Sequence, residues 1–125
     1  MKQTLGKQER LKSKTLIGKL YSEGKSVKNF PLRLVYVQTE HTSKYPAQVG
    51  VSVPKRNFKK AVDRNRLKRL LRETYRKQKN LVYNSIDKPY VYMISYIGKE
   101  ELSYAEIELK MKQLLNVFVE QIKTN

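Results

Sequence analysis

Lys55-Arg56-Asn57-Phe58-Lys59-Lys60-Ala61-Val62-Asp63-Arg64-Asn65-Arg66-Leu67-Lys68-Arg69-Leu70-Leu71-Arg72-Glu73 is the stretch on which the reading of this chain turns. From about Asp63 to Lys79 the pattern is helical. At about 100° per residue, Leu67, Leu70, Leu71 and Thr74 share one arc, while Ala61 and Val62 lie off it. Asn65, Arg66, Lys68, Arg69, Arg72 and Arg76 take the remaining circumference. One stripe is therefore available for a core, and the rest of the helix is a basic face. Residues 55–79 hold twelve Lys or Arg against Asp63 and Glu73 alone. Like charges at i,i+4, such as Arg64/Lys68, Lys68/Arg72 and Arg72/Arg76, each cost about 0.2–0.5 kcal/mol in an isolated helix. A solvated charge run is the ordinary reading of such a face, but two acids are too few to offset this density. A polyanion would relieve the repulsion and release its counterions on binding. The arginine fork, which can make two parallel bonds, suits phosphate.

Upstream of this stretch, residues 47–53 alternate, with Val49, Val51 and Val53 on one side and Gln48, Gly50 and Ser52 on the other. Pro54 closes the strand. Residues 32–38 (Leu-Arg-Leu-Val-Tyr-Val-Gln) form another strand, and the polar residues 39–46 between them predict an antiparallel pair. Leu16, Ile17, Leu20 and Tyr21 recur at helical spacing and predict a helix over 13–23, with Gly24 as the left-handed residue that ends it. Residues 1–9 read as a flexible basic tail. Downstream, residues 89–96 are a third strand, apolar on both faces and so central. Ser103 and Glu106 have the spacing of a capping box. Ile107, Met111, Leu114, Leu115, Phe118 and Ile122 then make the stripe of a helix over 104–123. Helix, strands, helix, strand, helix describes an α+β chain, a single-domain α/β sandwich over 1–125.

The total charge points the same way as the helix. Lys and Arg number 27 against 11 Asp and Glu, a net of +16, which calls for nucleic acid, an acidic protein or an anionic membrane surface. The excess lies in residues 1–28 and 55–79, whereas 80–125 is close to neutral. No run of about 18 apolar residues exists to span a bilayer, and Met1–Ser13 lacks the apolar centre of a signal peptide; a cytoplasmic location is expected. The absence of Cys excludes disulfides and thiolate metal sites. His41, the sole histidine, stands in a polar loop with neither a second His nor a Cys beside it and reads as a loop residue. Glu106/Lys110 and Glu108/Lys112 are surface pairs at i,i+4. The glycines do not form a phosphate loop. No clustered carboxylates are available to hold the metal ions of phosphodiester hydrolysis, so no catalytic residue is assigned.

The central stretch resembles the signature of the bacterial ribonuclease P protein family, Arg-Asn-Arg, one residue, then Lys-Arg. Arg64, Asn65, Arg66, Lys68 and Arg69 match it as they stand, and Arg72 and the preceding Ala61-Val62 also fit. Together with Val49-Gly50-Val51-Ser52-Val53-Pro54-Lys55 the match is specific, and the similarity runs from about Arg10 to Phe118. The resemblance implies an α-β-β-β-α-β-α fold similar to ribosomal protein S5 domain 2-like folds. It also implies a left-handed crossover, the opposite of the usual hand, and four strands, the fourth lying within residues 29–53. It further implies an accessory, non-catalytic subunit of a ribonucleoprotein endoribonuclease that removes the 5′ leader of precursor tRNA. In that family the basic helix faces the catalytic RNA, here through Arg64, Asn65, Arg66, Lys68, Arg69, Arg72 and Arg76. A cleft between the first helix and the sheet holds the single-stranded leader. By position it would use Ile17, Tyr21, Tyr36, Val49, Val51, Ser52, Lys55 and Arg56, with aromatic rings stacking on bases. The family often has Phe where Ile17 stands. Ile17 and Tyr21 read equally as core, and Ser52 faces the RNA if the three valines face the other way. The implied partners are ribonuclease P RNA and precursor tRNA, with no membrane, one monomeric protein per RNA, and Mg2+ held by the RNA.

Three other classes compete. A structural RNA-binding protein or RNA chaperone explains charge and size, but not the continuous match of strand and helix. A protein-only metal-dependent nuclease needs the missing carboxylates. A DNA-binding helix in a major groove would be separated by competition between duplex DNA and the catalytic RNA.

Overall fold

A computed structural model describes residues 9–41 and 45–123. The elements are α1 (Lys14–Glu23), β1 (Lys25–Asn29), β2 (Leu32–Gln38), β3 (Ala47–Ser52), α2 (Ala61–Gln78), α3 (Asn80–Tyr83), β4 (Tyr90–Tyr96) and α4 (Tyr104–Lys123). The strands form one sheet in the order β1-β2-β4-β3. β4 takes an interior position, beside β2, because Val91 and Met93 bury on one face and Tyr92, Ile94 and Tyr96 on the other. It pairs antiparallel with β2, Leu32 opposite Tyr96, and parallel with β3, Ala47 opposite Tyr90. The antiparallel pairing of residues 32–38 with 47–53 expected from the sequence is therefore not formed. Chain neighbours commonly pair, but here β4, buried on both faces, inserts between them.

β2 instead makes a hairpin with β1 around Phe30-Pro31, whose peptide bond is cis. β1 is the fourth strand, and it lies at 25–29 rather than within 29–53. Its sequence, Lys-Ser-Val-Lys-Asn, buries Val27 alone, as an edge strand can.

Both faces of the sheet are covered. α2 and α4 pack on one face over Val27, Leu32, Leu34, Tyr36, Val49, Tyr92 and Ile94, joined by Val51 at its margin. Leu67 and Leu71 of α2 and Met111, Leu114 and Phe118 of α4 supply the opposing surface, all with 0% exposure. Each such leucine stabilises the fold by roughly 1.5–3 kcal/mol through apolar burial. α1 covers the other face with Leu16, Ile17 and Leu20 over Leu11, Val35, Val91 and Met93.

Local signals set the helix ends. The Ser13 side chain accepts from the Leu16 amide at 3.3 Å to start α1. At α4 the Glu106 amide donates to Ser103 Oγ at 3.3 Å, and the Ser103 amide donates to Glu106 Oε1 at 3.2 Å, the reciprocal box expected. Gly24 does not adopt the left-handed conformation foreseen for it: φ is −72° and ψ 153°. Space explains the glycine instead. A Cβ there would lie 2.2 Å from the Leu20 carbonyl oxygen and 2.9 Å from Val35 Cγ1. The expected tail over residues 1–9 lies outside the described residues except for Glu9, which is buried rather than free.

Candidate nucleic-acid interface

The apolar stripe of α2 fixes which of its cations reach solvent. Leu67, Leu71, Thr74 and Tyr75 are buried; this leaves Asn65, Arg66, Arg69 and Arg72 exposed and Arg64, Lys68 and Arg76 half-buried. The seven residues expected to face RNA thus share one helix, but not one state. The Arg64 guanidinium donates to the carbonyls of Phe58 and Lys59, both at 2.8 Å, and so ties down the loop before the helix. Arg66 pairs with Asp63 at 2.9 Å and with Glu101. Hydrogen bonding to Glu101, foremost, holds its pKa above the usual value. Arg76 pairs with Glu73, whose carboxyl its hydrogen bond holds below the usual range. No carboxylate among the described residues pairs with Arg69 or Arg72.

Arg69, Arg72 and Arg76 line a recess of about 500 Å³ together with Asn65, Glu73 and Arg10. Partial burial, and then the neighbouring charge of Arg10, lower the pKa of Arg72. Arg10 belongs to the N-terminal segment, residues 1–28, whose positive excess points to the binding surface along with residues 55–79. Its presence follows from a backbone bridge to Val49 on the outer edge of β3, where the Leu11 amide donates to the Val49 carbonyl at 2.8 Å. What the sequence does not reveal is that Arg10 is brought beside α2 by that bridge.

The residues expected to form a leader cleft are split by the sheet. Tyr36, Val49 and Val51 face α2 and α4, not α1. Tyr36 packs edge-on to Phe118 with ring centroids 4.8 Å apart, and its hydroxyl accepts from Gln121. These three therefore cannot line a cleft beneath α1. The alternation of residues 47–53 is real, but the opposite side of the strand faces α1, as the alternative for Ser52 anticipates. The α1 side carries Ser52, hydrogen-bonded to Ser95 at 2.7 Å, and Gly50, across which the Met93 side chain lies. Val35 rather than Tyr36 is the β2 residue on that side. Ile17 is half-buried against this layer, and Tyr21, one turn on, is 60% exposed. Lys55 and Arg56 are exposed just beyond β3.

Buried polar groups also pair elsewhere in the core. The Tyr75 and Tyr92 hydroxyls bond to each other inside the core, and burial raises both phenol pKa values. Among the described residues no group of His, Asp and Glu is placed to hold a metal ion. No helix among them is long and apolar enough to cross a membrane.

Sheet, crossover and helix surface together define a small α+β protein that presents a cationic helix between two parallel neighbouring strands. A family model described as Ribonuclease P matches residues 5–119, and the chain belongs to that family. The ribonuclease P protein component of Porphyromonas gingivalis (strain ATCC 33277) is 42% identical over 89 residues, covering 70% of this chain and 64% of that protein. The chain thus matches just under two thirds of that relative's length. The ribonuclease P protein component of Chlorobium phaeobacteroides is 43% identical over 109 residues, covering 85% and 68%. The solved Staphylococcus aureus RNase P protein has the same fold, with a TM-score of 0.71 at 21% identity over 88% of this chain and 94% of that one. The RNase P protein of Thermotoga maritima superposes with a TM-score of 0.67 at 26% identity, covering 87% and 96%.

Proposed function

We propose that this chain is the accessory protein subunit of ribonuclease P, binding the catalytic RNA along α2 and assisting removal of the 5′ leader from precursor tRNA. The observation that carries the reading is the pair Arg69 and Arg72, exposed, without carboxylate partners among the described residues and beside Asn65 on a helix matching the family signature. Guanidiniums in that state are ready for phosphate, with no internal ion pair to break first. Arg64 and Arg66 set the loop and the helix start that hold them in place. The protein's part is electrostatic. Its charge offsets repulsion between two RNAs, while the RNA brings the Mg2+ and the chemistry.

The leader lies on the α1 side of the sheet, against Ile17, Tyr21, Ser52, Lys55 and Arg56. The exposed ring of Tyr21 is placed for stacking on an unpaired base, which is worth about 1–3 kcal/mol. Only the uncleaved substrate carries a leader, so this contact favours substrate over product. The subunit acts as a monomer, one per RNA, in the cytoplasm, and residues 1–125 form one functional domain.

The deciding experiment is cleavage of precursor tRNA at low magnesium with protein alone, ribonuclease P RNA alone, and both. Cleavage with both that far exceeds either alone supports the reading. No stimulation with the RNA of a close relative points to a structural RNA-binding protein, and cleavage by protein alone points to an active site of its own.

A further inference from the structure

Four arginines, Arg10, Arg69, Arg72 and Arg76, line one recess with, among the described residues, a single carboxylate, Glu73, which is already engaged by Arg76. Like charges do not gather without a force that holds them. Three of the four sit on α2, whose backbone leaves them no choice. Arg10 belongs to a segment far away in sequence, and repulsion alone would move it out.

Both neighbours of Arg10 are pinned. On one side Glu9, 1% exposed, accepts two bonds from Lys79 Nζ at 3.0 and 2.8 Å and a third from the Tyr83 hydroxyl. On the other side Leu11, 7% exposed, packs beneath α1 while its amide bonds to Val49. Desolvating an ion pair costs about as much as the pair returns, and apolar residues of similar volume usually stabilise a fold as well or better. Stability alone does not account for Glu9 and Lys79. What the pair does provide is a fixed register for residue 10 against α2.

We propose that Arg10 is a further phosphate-contacting residue, completing with Arg69 and Arg72 a site for an RNA backbone phosphate, and that Glu9 is its positioning residue, acting through the buried pair with Lys79. The site rests on the reading that α2 faces RNA. An incoming phosphate adds an anion to a recess whose carboxylate, Glu73, is engaged by Arg76, and its oxygens can be shared between arginine forks from two separate parts of the chain.

The test uses the full chain and the in vitro transcribed ribonuclease P RNA of Porphyromonas gingivalis, with affinity measured across a salt series and folding checked by circular dichroism. Arg10→Gln should lower the slope of log K against log salt by about 0.7–0.9, one phosphate contact, and weaken binding about five- to eightfold at 0.1 M salt. Glu9→Gln should also weaken binding, although removing a negative charge would by itself tighten the hold on a polyanion. In an Arg10→Gln background Glu9→Gln should add no further loss, and the exchange Glu9→Lys with Lys79→Glu should restore the parental slope. A folded Glu9→Gln that binds as tightly as the parent or more tightly overturns the proposal. If Glu9→Gln does not fold, Arg10→Gln decides, and an unchanged slope overturns the proposal. Lys68→Gln, on the same helix face but outside the recess, separates the two levels. A reduced slope there with none in Arg10→Gln removes the Arg10 site alone, whereas no change in either removes α2 as well.

Discussion

Replacing Arg69 and Arg72 together by Gln puts the cationic helix to its most direct trial. Both side chains are exposed and neither has a carboxylate partner among the described residues, so the fold should keep its melting temperature. Each phosphate contact contributes about 0.7 to the salt slope for single strands and about 0.9 for duplex. Two lost contacts therefore flatten the slope by about 1.4–1.8. Counterion release vanishes as an advantage near 1 M salt, so the lines for parent and variant should meet there. At 0.1 M, one decade lower, the variant should bind about 25- to 60-fold more weakly. Filter binding or fluorescence anisotropy with ribonuclease P RNA, at five or more salt concentrations, reads both quantities. A variant line parallel to the parent's, offset equally at all salts, would refute the reasoning, because the loss would then not be electrostatic. So would an unchanged affinity at 0.1 M.

Arg64→Gln should behave differently: its two bonds to the Phe58 and Lys59 carbonyls are lost, costing about 1–3 kcal/mol of stability in a thermal melt. Gly18→Ala should stabilise the protein by about 0.5–1 kcal/mol, since alanine is the better helix former and a Cβ there meets nothing within 4 Å. Gly24→Ala should lower the melting temperature because of the contact with Leu20. Alkaline titration followed by phenolate absorbance tests the core tyrosines. Tyr75, Tyr83 and Tyr92 all have pKa values raised by burial, while the unfolded phenol ionises near pH 10. Below that pH these groups carry no penalty. Above it the unfolded state releases protons that the folded state keeps, so stability should fall steadily, and phenolate should appear together with loss of ellipticity. Ionisation of these three while the fold persists would contradict their burial.

The sequence is legible where apolar spacing is unambiguous. α4 and its capping box, β2, and the interior place of β4 all follow from patterns long enough to admit one reading. β1 escapes because one buried valine among lysines makes no pattern. The partner of β3 escapes for a different reason. Alternation shows that Val49, Val51 and Val53 share a side, but a sheet covered on both faces offers two cores, and a local pattern does not say which helix covers which. Tyr36, Val49 and Val51, expected in the cleft by position from the family resemblance, lie on the layer that α2 and α4 cover. Arg64, Arg66, Arg69 and Arg72 are plain in the sequence as a basic face, yet their division into engaged and unengaged side chains depends on Glu101 and on loop carbonyls that no spacing reveals. Glu9 and Lys79 stand seventy residues apart, and a single acid in a basic segment gives no sign of its partner.

The sheet order has a consequence for how the protein is made. β4 is the last strand to leave the ribosome, and it is the one that joins β2 to β3. A nascent chain ending before Tyr90 has a β1–β2 hairpin and a β3 with no strand to pair with. An isolated hairpin is marginal in water, so little can be retained until the final third is synthesised. The register Leu32↔Tyr96 closes a loop of more than sixty residues, the kind of distant pairing that slows folding. Commitment to the native state should therefore come late and all at once, and C-terminal truncations that remove β4 should yield chains with no partly folded remainder.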